Sequence, residues 1–136
     1  MTRASKINTP NAQWRKAEAK ARREKLEKAF EWQLKAAKIN YETQFMWHPQ
    51  RGWRADFYIS SGGPTNWVDI LVEIEGGNWI QGRHTRGKGF EVDVEKYNEA
   101  ALLNYIVLRG TAKHVKSGQL LNWVERALMA LGRVKT

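Results

Sequence analysis

The sequence predicts an α/β protein in which helices flank a mixed sheet, with the element order α-β-β-β-α-β-α. Three short apolar, strand-like runs follow one another between residues 41 and 74, and a helical pattern separates them from a fourth run. Strands joined by short turns pair antiparallel, whereas a strand reached through a helical crossover pairs parallel. At 136 residues the chain is long enough to bury one core.

The first element is predicted to be a long basic helix. Thr9 and Pro10 have the residue types of a helix N-cap and first turn, and neither Gly nor Pro follows between residues 11 and 38. The polar first half is either a solvated surface helix or an arm that contacts DNA. We therefore divide the chain into a basic helical arm, residues 1–40, and a core, residues 41–136. An apolar stripe at helical spacing is formed by Leu26, Phe30, Leu34 and Ala37.

The remaining elements follow from turn residues and periodicity. Strands are predicted over residues 41–47, 53–59, 67–74 and 105–109, and the third is apolar enough to be central and buried. A helix is predicted over 90–104, and Ser117 is expected to cap a last helix. The residues of the first of these helices expected to face inward are Val94, Tyr97, Ala101 and Leu102.

Positive charge is concentrated in the first third of the chain. Residues 1–40 hold 11 of the 23 Lys and Arg but 4 of the 14 Asp and Glu, so most of the net charge of +9 lies there. A basic excess favours polyanions, chiefly nucleic acid. The absence of cysteine excludes disulfides and thiolate metal sites and fits a cytoplasmic setting. No apolar run approaches the ~20 residues of a membrane span, so no membrane contact is expected.

Acidic residues lie inside or beside two of the apolar strand patterns. Asp56 lies in the second strand, and Glu73 and Glu75 end the third. A charged group in an apolar strand costs free energy unless it is compensated, and oxygen ligands from two strands suit Mg²⁺ or Mn²⁺. The backbone carbonyl of Ile74 is a further candidate ligand. The alternative is that these acids form ion pairs with neighbouring arginines at a sheet edge.

The order of these motifs resembles the PD-(D/E)xK nuclease superfamily, and within it very-short-patch repair endonucleases and small phage endonucleases. Residues 72–79, Val-Glu-Ile-Glu-Gly-Gly-Asn-Trp, with Gly82-Arg83-His84 after them, resemble the acidic strand, glycine turn, tryptophan and histidine of that branch. Residues 95–109 resemble its following helix and strand. The resemblance covers residues 40–115 and implies a restriction-endonuclease-like core.

The resemblance also implies the metal ligands. Asp56 and Glu73 match the two acids that hold Mg²⁺ or Mn²⁺ in the family, and Glu42 matches an acid that some members use as a further ligand. The family's lysine two residues after the second acid is absent, because Glu75 stands there.

Other residues are candidates for the chemistry of that missing lysine. A cation near the scissile phosphate offsets the charge that develops during displacement, and a histidine transfers protons near neutral pH. Arg86 is a further candidate for the cationic role. The residues proposed to orient water, move protons or neutralise charge are Glu75, His84 and Lys96.

A glycine-rich basic segment, residues 76–89, is predicted to be a loop that holds the substrate. Glycines allow close approach to a polyanion, and the cationic side chains supply charge; the alternative is a loop without function. Trp79 is the foremost candidate to stack on bases, with Trp47 and Trp53 also near strand ends, whereas Trp67 is assigned to the core. The predicted nucleic-acid-binding residues are Arg51, Arg54, Trp79, Arg83, Arg86 and Lys88.

Together these features predict a metal-dependent DNA endonuclease, a phosphodiester hydrolase that uses Mg²⁺ or Mn²⁺. The resemblance suggests recombination, repair or branched-DNA processing in a bacterial or phage-infected cytoplasm. A homodimer is expected only because nucleases that cut both strands often act as dimers. The alternatives are a non-catalytic nucleic-acid-binding protein on the same fold, which the missing lysine favours, and an assembly protein that oligomerises through its first helix. RNA as the substrate stays open.

Overall fold

The computed structural model describes residues 3–64, 67–75 and 87–132. The elements are α1 (Arg3–Ala36), β1 (Glu42–Met46), β2 (Arg54–Ile59), β3 (Asp69–Ile74), α2 (Gly87–Leu102), β4 (Tyr105–Gly110), α3 (Ala112–Ser117) and α4 (Gln119–Ala130).

The four strands form one mixed sheet in the order β1-β2-β3-β4. Strand β2 pairs antiparallel with β1 and β3, whereas β3 pairs parallel with β4. The predicted α/β class and the central third strand are confirmed, with strand ends within two residues of the prediction.

Two apolar clusters cover the two faces of the sheet. On the face covered by α1, α3 and α4, which we call the α1 side, the rings of Phe30 and Phe57 meet edge to face at 5.2 Å. On the opposite face, the α2 side, Ala100 of α2 packs with Trp47, Ala55 and Leu71. No helix in the described parts of the chain is long and apolar enough to cross a membrane.

Helix α1 joins the core through its second half. Phe30 and Leu34 are fully buried, which confirms the predicted stripe, whereas residues 11–25 are almost all exposed. The helix begins at Arg3, so the predicted start at Thr9 is wrong. Pro10 therefore stands inside the helix, where it removes one backbone donor. The division at residue 40 stays a prediction, although the core includes this half of α1.

The end of α1 is closed by a Schellman motif. The N–H of Ile39 donates to the carbonyl of Leu34, and that of Lys38 to the carbonyl of Lys35, each at 3.0 Å. Ile39 and Leu34 are both buried in the core, which is the apolar contact that accompanies this motif. Lys38 takes the left-handed conformation, with φ of 60°, at the position where glycine is usual.

Helix α2 turns a different face to the sheet from the one predicted. Ala100 is fully buried and Tyr97 partly so, but Val94 and Leu102 are 43% and 77% exposed. The inward face carries Lys96 and Tyr97, because both contact a carboxylate on β3. The predicted inward positions at Val94, Ala101 and Leu102 are therefore wrong.

The turn between β1 and β2 is tied to α2 by a histidine. His48 Nδ1 accepts hydrogen bonds from the backbone N–H groups of Gln50 and Arg51, each at 3.0 Å. The proton is therefore on Nε2, which donates to Glu99 at 2.9 Å. This contact fixes α2 relative to the sheet.

The last helical region is divided into two helices. Gly118 adopts φ of 84° between α3 and α4, so Ser117 ends α3 and does not occupy the predicted N-cap position. The Ser117 hydroxyl still accepts a bond from the N–H of Gln119 at 3.3 Å. A left-handed residue is needed here, and glycine adopts that conformation without a Cβ penalty.

Replacing Lys38 by glycine should stabilise the protein. Relief of the left-handed strain outweighs the added freedom of the unfolded chain, so we expect the free energy of unfolding to rise by about 0.5–1 kcal/mol. Urea unfolding followed by circular dichroism measures the difference. The matched control Lys35→Gly places glycine inside α1 and should lower the free energy by about 1 kcal/mol. A loss of stability in both variants would contradict the assignment.

Candidate active site

The pairing of β2 with β3 ends next to Asp56. The last paired residues are Phe57 and Val72, and beyond them the Asp56 side chain replaces the backbone as the hydrogen-bond acceptor for β3. Its Oδ2 accepts a hydrogen bond from the N–H of Ile74 at 2.7 Å. A half-buried carboxylate thus satisfies a backbone donor at the point where the strands separate.

Strand β2 also changes its side-chain alternation at Asp56. Phe57 packs on the α1 side and Tyr58 on the α2 side, but Ala55 packs on the α2 side, where regular alternation would place it with Phe57. Gln44, which lies opposite Asp56 in the β1–β2 register, has φ of 49°. Both strands are therefore irregular at this point, which allows the Asp56 carboxylate to reach α1.

On α1 the partner of Asp56 is Glu27. The pKa of Glu27 rises from 4.5 to about 7, through burial first and the charge of Asp56 second. Arg23 opposes the rise only weakly, because its Nε lies 4.0 Å from Glu27 Oε2. A raised pKa is expected when carboxylates meet without a strong cation.

Glu27 was not among the predicted site residues. A signal for it exists in the sequence, since Glu27, Phe30 and Leu34 share one helical face. An acid on the buried stripe of a helix requires a partner, and here the partner is on the sheet.

Glu73 lies on the α2 side, and both of its oxygens are engaged. The hydroxyl of Tyr97 donates to Oε1 at 2.9 Å, and Lys96 Nζ lies 3.0 Å from Oε2. The side chains of Lys96 and Glu73 are 20% and 13% exposed. Burial and the charge of Glu73 raise the pKa of Tyr97, so its hydroxyl keeps its proton and remains a donor.

Lys96, a candidate for the role of the missing lysine, contacts the acidic strand through a direct ion pair. Lys96 lies on α2, well after the position where the family carries its lysine, and it contacts one of the two predicted acids. Its catalytic role stays a prediction.

Glu75 is held by an arginine of the neighbouring strand. Arg109 Nε donates to Glu75 Oε2 at 2.8 Å, and the Arg109 guanidinium lies 4.9 Å from the ring centre of Tyr97. Glu75 and Glu73 thus belong to one network of acids and cations on the α2 side. The proposed role of Glu75 in orienting water remains a prediction.

The other predicted metal ligands differ in position. Ile74 follows Glu73 on β3, and its N–H donates to Asp56 Oδ2. Its carbonyl is therefore in the same short segment of β3 as Glu73. Glu42 is exposed and pairs in register with Tyr58, whereas Gln44 lies opposite Asp56. Within the described residues, no three His, Cys, Asp or Glu side chains are grouped for a metal ion. Among the acids near the end of β2–β3 pairing, Asp56 lies next to Glu27, whereas Glu73 is paired with Lys96.

The predicted nucleic-acid-binding residues are only partly described. Arg51 is exposed, lies 4.0 Å from the ring centre of Trp53 and approaches Glu95 at 3.5 Å. Arg54 is exposed at the start of β2, beside Asp56. Lys88 lies in the first turn of α2, but its side chain is outside the described part of the chain. The predictions for Trp79, Arg83, His84 and Arg86 also lie outside the described residues.

Two of the tryptophan predictions are wrong. Trp47 is 5% exposed and packs against neighbouring aromatic rings, so it has no face free for a base. Trp67 is 41% exposed, so it is not a core residue. It covers Gly63, whose missing side chain leaves room for the ring, and its Nε1 donates to the carbonyl of Leu131 at 3.2 Å.

Comparisons of this chain with protein-family models, with curated proteins and with solved structures find no match.

The Glu27–Asp56 pair predicts a pH dependence of stability. The folded protein holds the Glu27 proton more tightly than the unfolded chain does. The stabilisation of the folded protein that comes from this tighter proton binding is complete below pH 4.5 and is lost as the pH rises through about 7. Glu27→Gln should remove the loss, so the variant should exceed the wild type by about 1 kcal/mol at alkaline pH, after allowing for solvent screening. Urea unfolding across this range measures the difference.

The control is Glu18→Gln, which removes an exposed acid of α1 that does not contribute to the Glu27 pKa and should keep the wild-type pH profile. If Glu27→Gln retained that profile as well, the pKa of Glu27 would not be raised in the folded protein.

Proposed function

We propose that this protein is a metal-dependent DNA endonuclease with a PD-(D/E)xK-like core. The observation that carries the proposal is the position of Asp56 at the end of β2–β3 pairing. There its Oδ2 accepts a hydrogen bond from the Ile74 N–H at 2.7 Å, and its charge helps to raise the pKa of Glu27 on α1. The preceding residue on β3, Glu73, adds a third acid on the α2 side of the same sheet.

The donor set fits a divalent cation. Only a weakly placed arginine offsets the repulsion between Glu27 and Asp56, so a cation would replace the Glu27 proton favourably. The groups that would hold Mg²⁺ or Mn²⁺ are Asp56, the Ile74 carbonyl and Glu27, the last as the further acid that the resemblance assigned to Glu42. Glu73, on the α2 side, would join them only by leaving Lys96. A bound ion of this kind supplies Lewis-acid polarisation of a phosphate and an acidified water.

The neighbouring residues then have distinct roles. Tyr97 orients Glu73 through the hydrogen bond at 2.9 Å, because its raised pKa keeps the hydroxyl protonated. Lys96 places a positive charge 3.0 Å from Glu73 and can neutralise charge on the scissile phosphate. Lys96 thus takes the role of the absent motif lysine, and Arg109 holds Glu75 beside it at 2.8 Å.

DNA is the proposed substrate because of the charge distribution. The chain carries +9, and its excess of Lys and Arg is largest in residues 1–40. Phosphate contacts of this kind bind without reading sequence. Recombination, repair or branched-DNA processing in a bacterial or phage-infected cell is the proposed setting, and a homodimer would allow both strands to be cut.

A second candidate is a non-catalytic nucleic-acid-binding protein. It is favoured by the engagement of both Glu73 oxygens, by Tyr97 and Lys96, at 2.9 and 3.0 Å. A carboxylate held in this way has an ordinary structural role in a partly buried network.

Cleavage assays separate these candidates. Labelled duplex, single-stranded and branched DNA are incubated with Mg²⁺, Mn²⁺ or EDTA. We expect metal-dependent cutting that falls at least about 100-fold in Asp56→Asn, Glu73→Gln and Lys96→Met, because each removes a ligand or a stabilising charge. Binding of DNA by these variants is measured in parallel and should persist.

The matched control is Glu95→Gln, an exposed acid adjacent to Lys96 on α2, which should cut like the wild type. DNA binding by the wild type without cutting under every metal condition would overturn the endonuclease proposal and favour the non-catalytic one.

A further inference from the structure

The outward face of α1 carries two exposed tryptophans. Trp14 is 67% exposed and Trp32 is 71% exposed, although tryptophan on a surface loses favourable burial. They are separated by 18 positions, which is five turns of an α-helix, so both rings project in the same direction about 27 Å apart. The buried side chains Phe30 and Leu34 project from the opposite side of the helix.

Between the two rings the same face carries two lysines and one acid. Lys25 and Lys28 are exposed and lie within about 40° of the line that joins the tryptophans, and Lys35 follows Trp32 by three residues. Glu18 is the acid that lies nearest this line. Exposed aromatic rings on one surface with lysines are a pattern that binds single-stranded nucleic acid, since bases stack on the rings and phosphates contact the cations.

We propose that the outward face of α1, formed by Trp14, Lys25, Lys28 and Trp32, is a docking surface for single-stranded nucleic acid. Unpaired bases are required because a duplex keeps its base faces stacked internally and offers only phosphates to the lysines. A second copy of the chain is disfavoured as the occupant, because two basic helices in a protein of net charge +9 would repel each other.

This inference rests on the proposed function only in taking nucleic acid as the ligand. It deepens that function by assigning the substrate an unpaired segment, as in a single-stranded, flapped or branched DNA. Binding at this face requires none of the acids at Asp56, so it is measured in EDTA and is separable from cleavage.

The test uses fluorescence anisotropy of labelled oligonucleotides with the full chain in EDTA. The single strand is about 20 nucleotides long, which exceeds the ~4–16-nucleotide sites of single-strand binders, and the comparison ligand is a blunt duplex of the same length. Trp14→Ala with Trp32→Ala should weaken single-strand binding about 25-fold, because each stacked base contributes at least a factor of about five. Duplex binding should change less than about twofold.

Two further variants act as controls. Trp14→Phe with Trp32→Phe keeps aromatic faces and should retain most single-strand binding. Leu102→Ala removes an equally exposed apolar side chain from α2 and should have no effect. Far-UV circular dichroism verifies helix content, and Lys25→Gln with Lys28→Gln should reduce the salt dependence of binding to both ligands.

The proposal is overturned if the double alanine variant binds the single strand as the wild type does, or loses duplex and single-strand binding equally. It is also overturned if sedimentation shows a wild-type dimer that the same substitutions dissociate, since a second copy would then occupy the face. An RNA strand of the same sequence shows whether a 2′-hydroxyl is discriminated. Failure of cleavage with retained, tryptophan-dependent single-strand binding would overturn the endonuclease and leave this surface intact.

Discussion

The separation of β2 from β3 at Asp56 is the constraint on which the candidate site depends. Antiparallel pairing stops at Phe57 and Val72, and the N–H of Ile74, two residues further along β3, donates to the Asp56 side chain. A buried donor without a partner costs free energy, so an acceptor is needed at this point. Because the acceptor is a carboxylate, the irregularity of the sheet also brings negative charge to α1, where burial and this charge raise the pKa of Glu27.

The packing of α2 follows from the same requirement. A helix buries an apolar stripe against a sheet unless a charged group on the sheet demands otherwise. Glu73 is such a group, and α2 meets it with Lys96 and Tyr97 while Val94 and Leu102 remain exposed. The free energy lost by exposing these apolar side chains is offset by neutralising a partly buried acid. Departures of this kind from local sequence preference are expected at functional sites.

The extent to which the sequence predicts this structure depends on how local each signal is. The strands follow from turn residues and short apolar runs, and the acids on β2 and β3 stand out because they interrupt those runs. Each of these signals lies within a few residues of the feature that it predicts.

Other features depend on tertiary packing and were missed. The periodicity of α1 places Glu27 on the buried face, but its partner Asp56 is on the sheet, so the pair depends on how α1 packs there. The inward face of α2 is selected by Glu73 and not by its apolar residues. Trp67 lies on the surface because Gly63 leaves space under its ring. Helix α3 was missed because its six residues, Ala112–Ser117, are too few to show an apolar stripe.

The central claim is that Asp56 is the ligand around which a divalent cation binds. The most direct measurement is the anomalous scattering of crystals grown with Mn²⁺. We expect a single strong peak at coordination distance from Asp56 Oδ1 or Oδ2 and from the Glu27 or Glu73 carboxylate, with Lys96 moved from its metal-free position. A peak elsewhere on the protein, with Asp56 still accepting only from the Ile74 N–H, would contradict it.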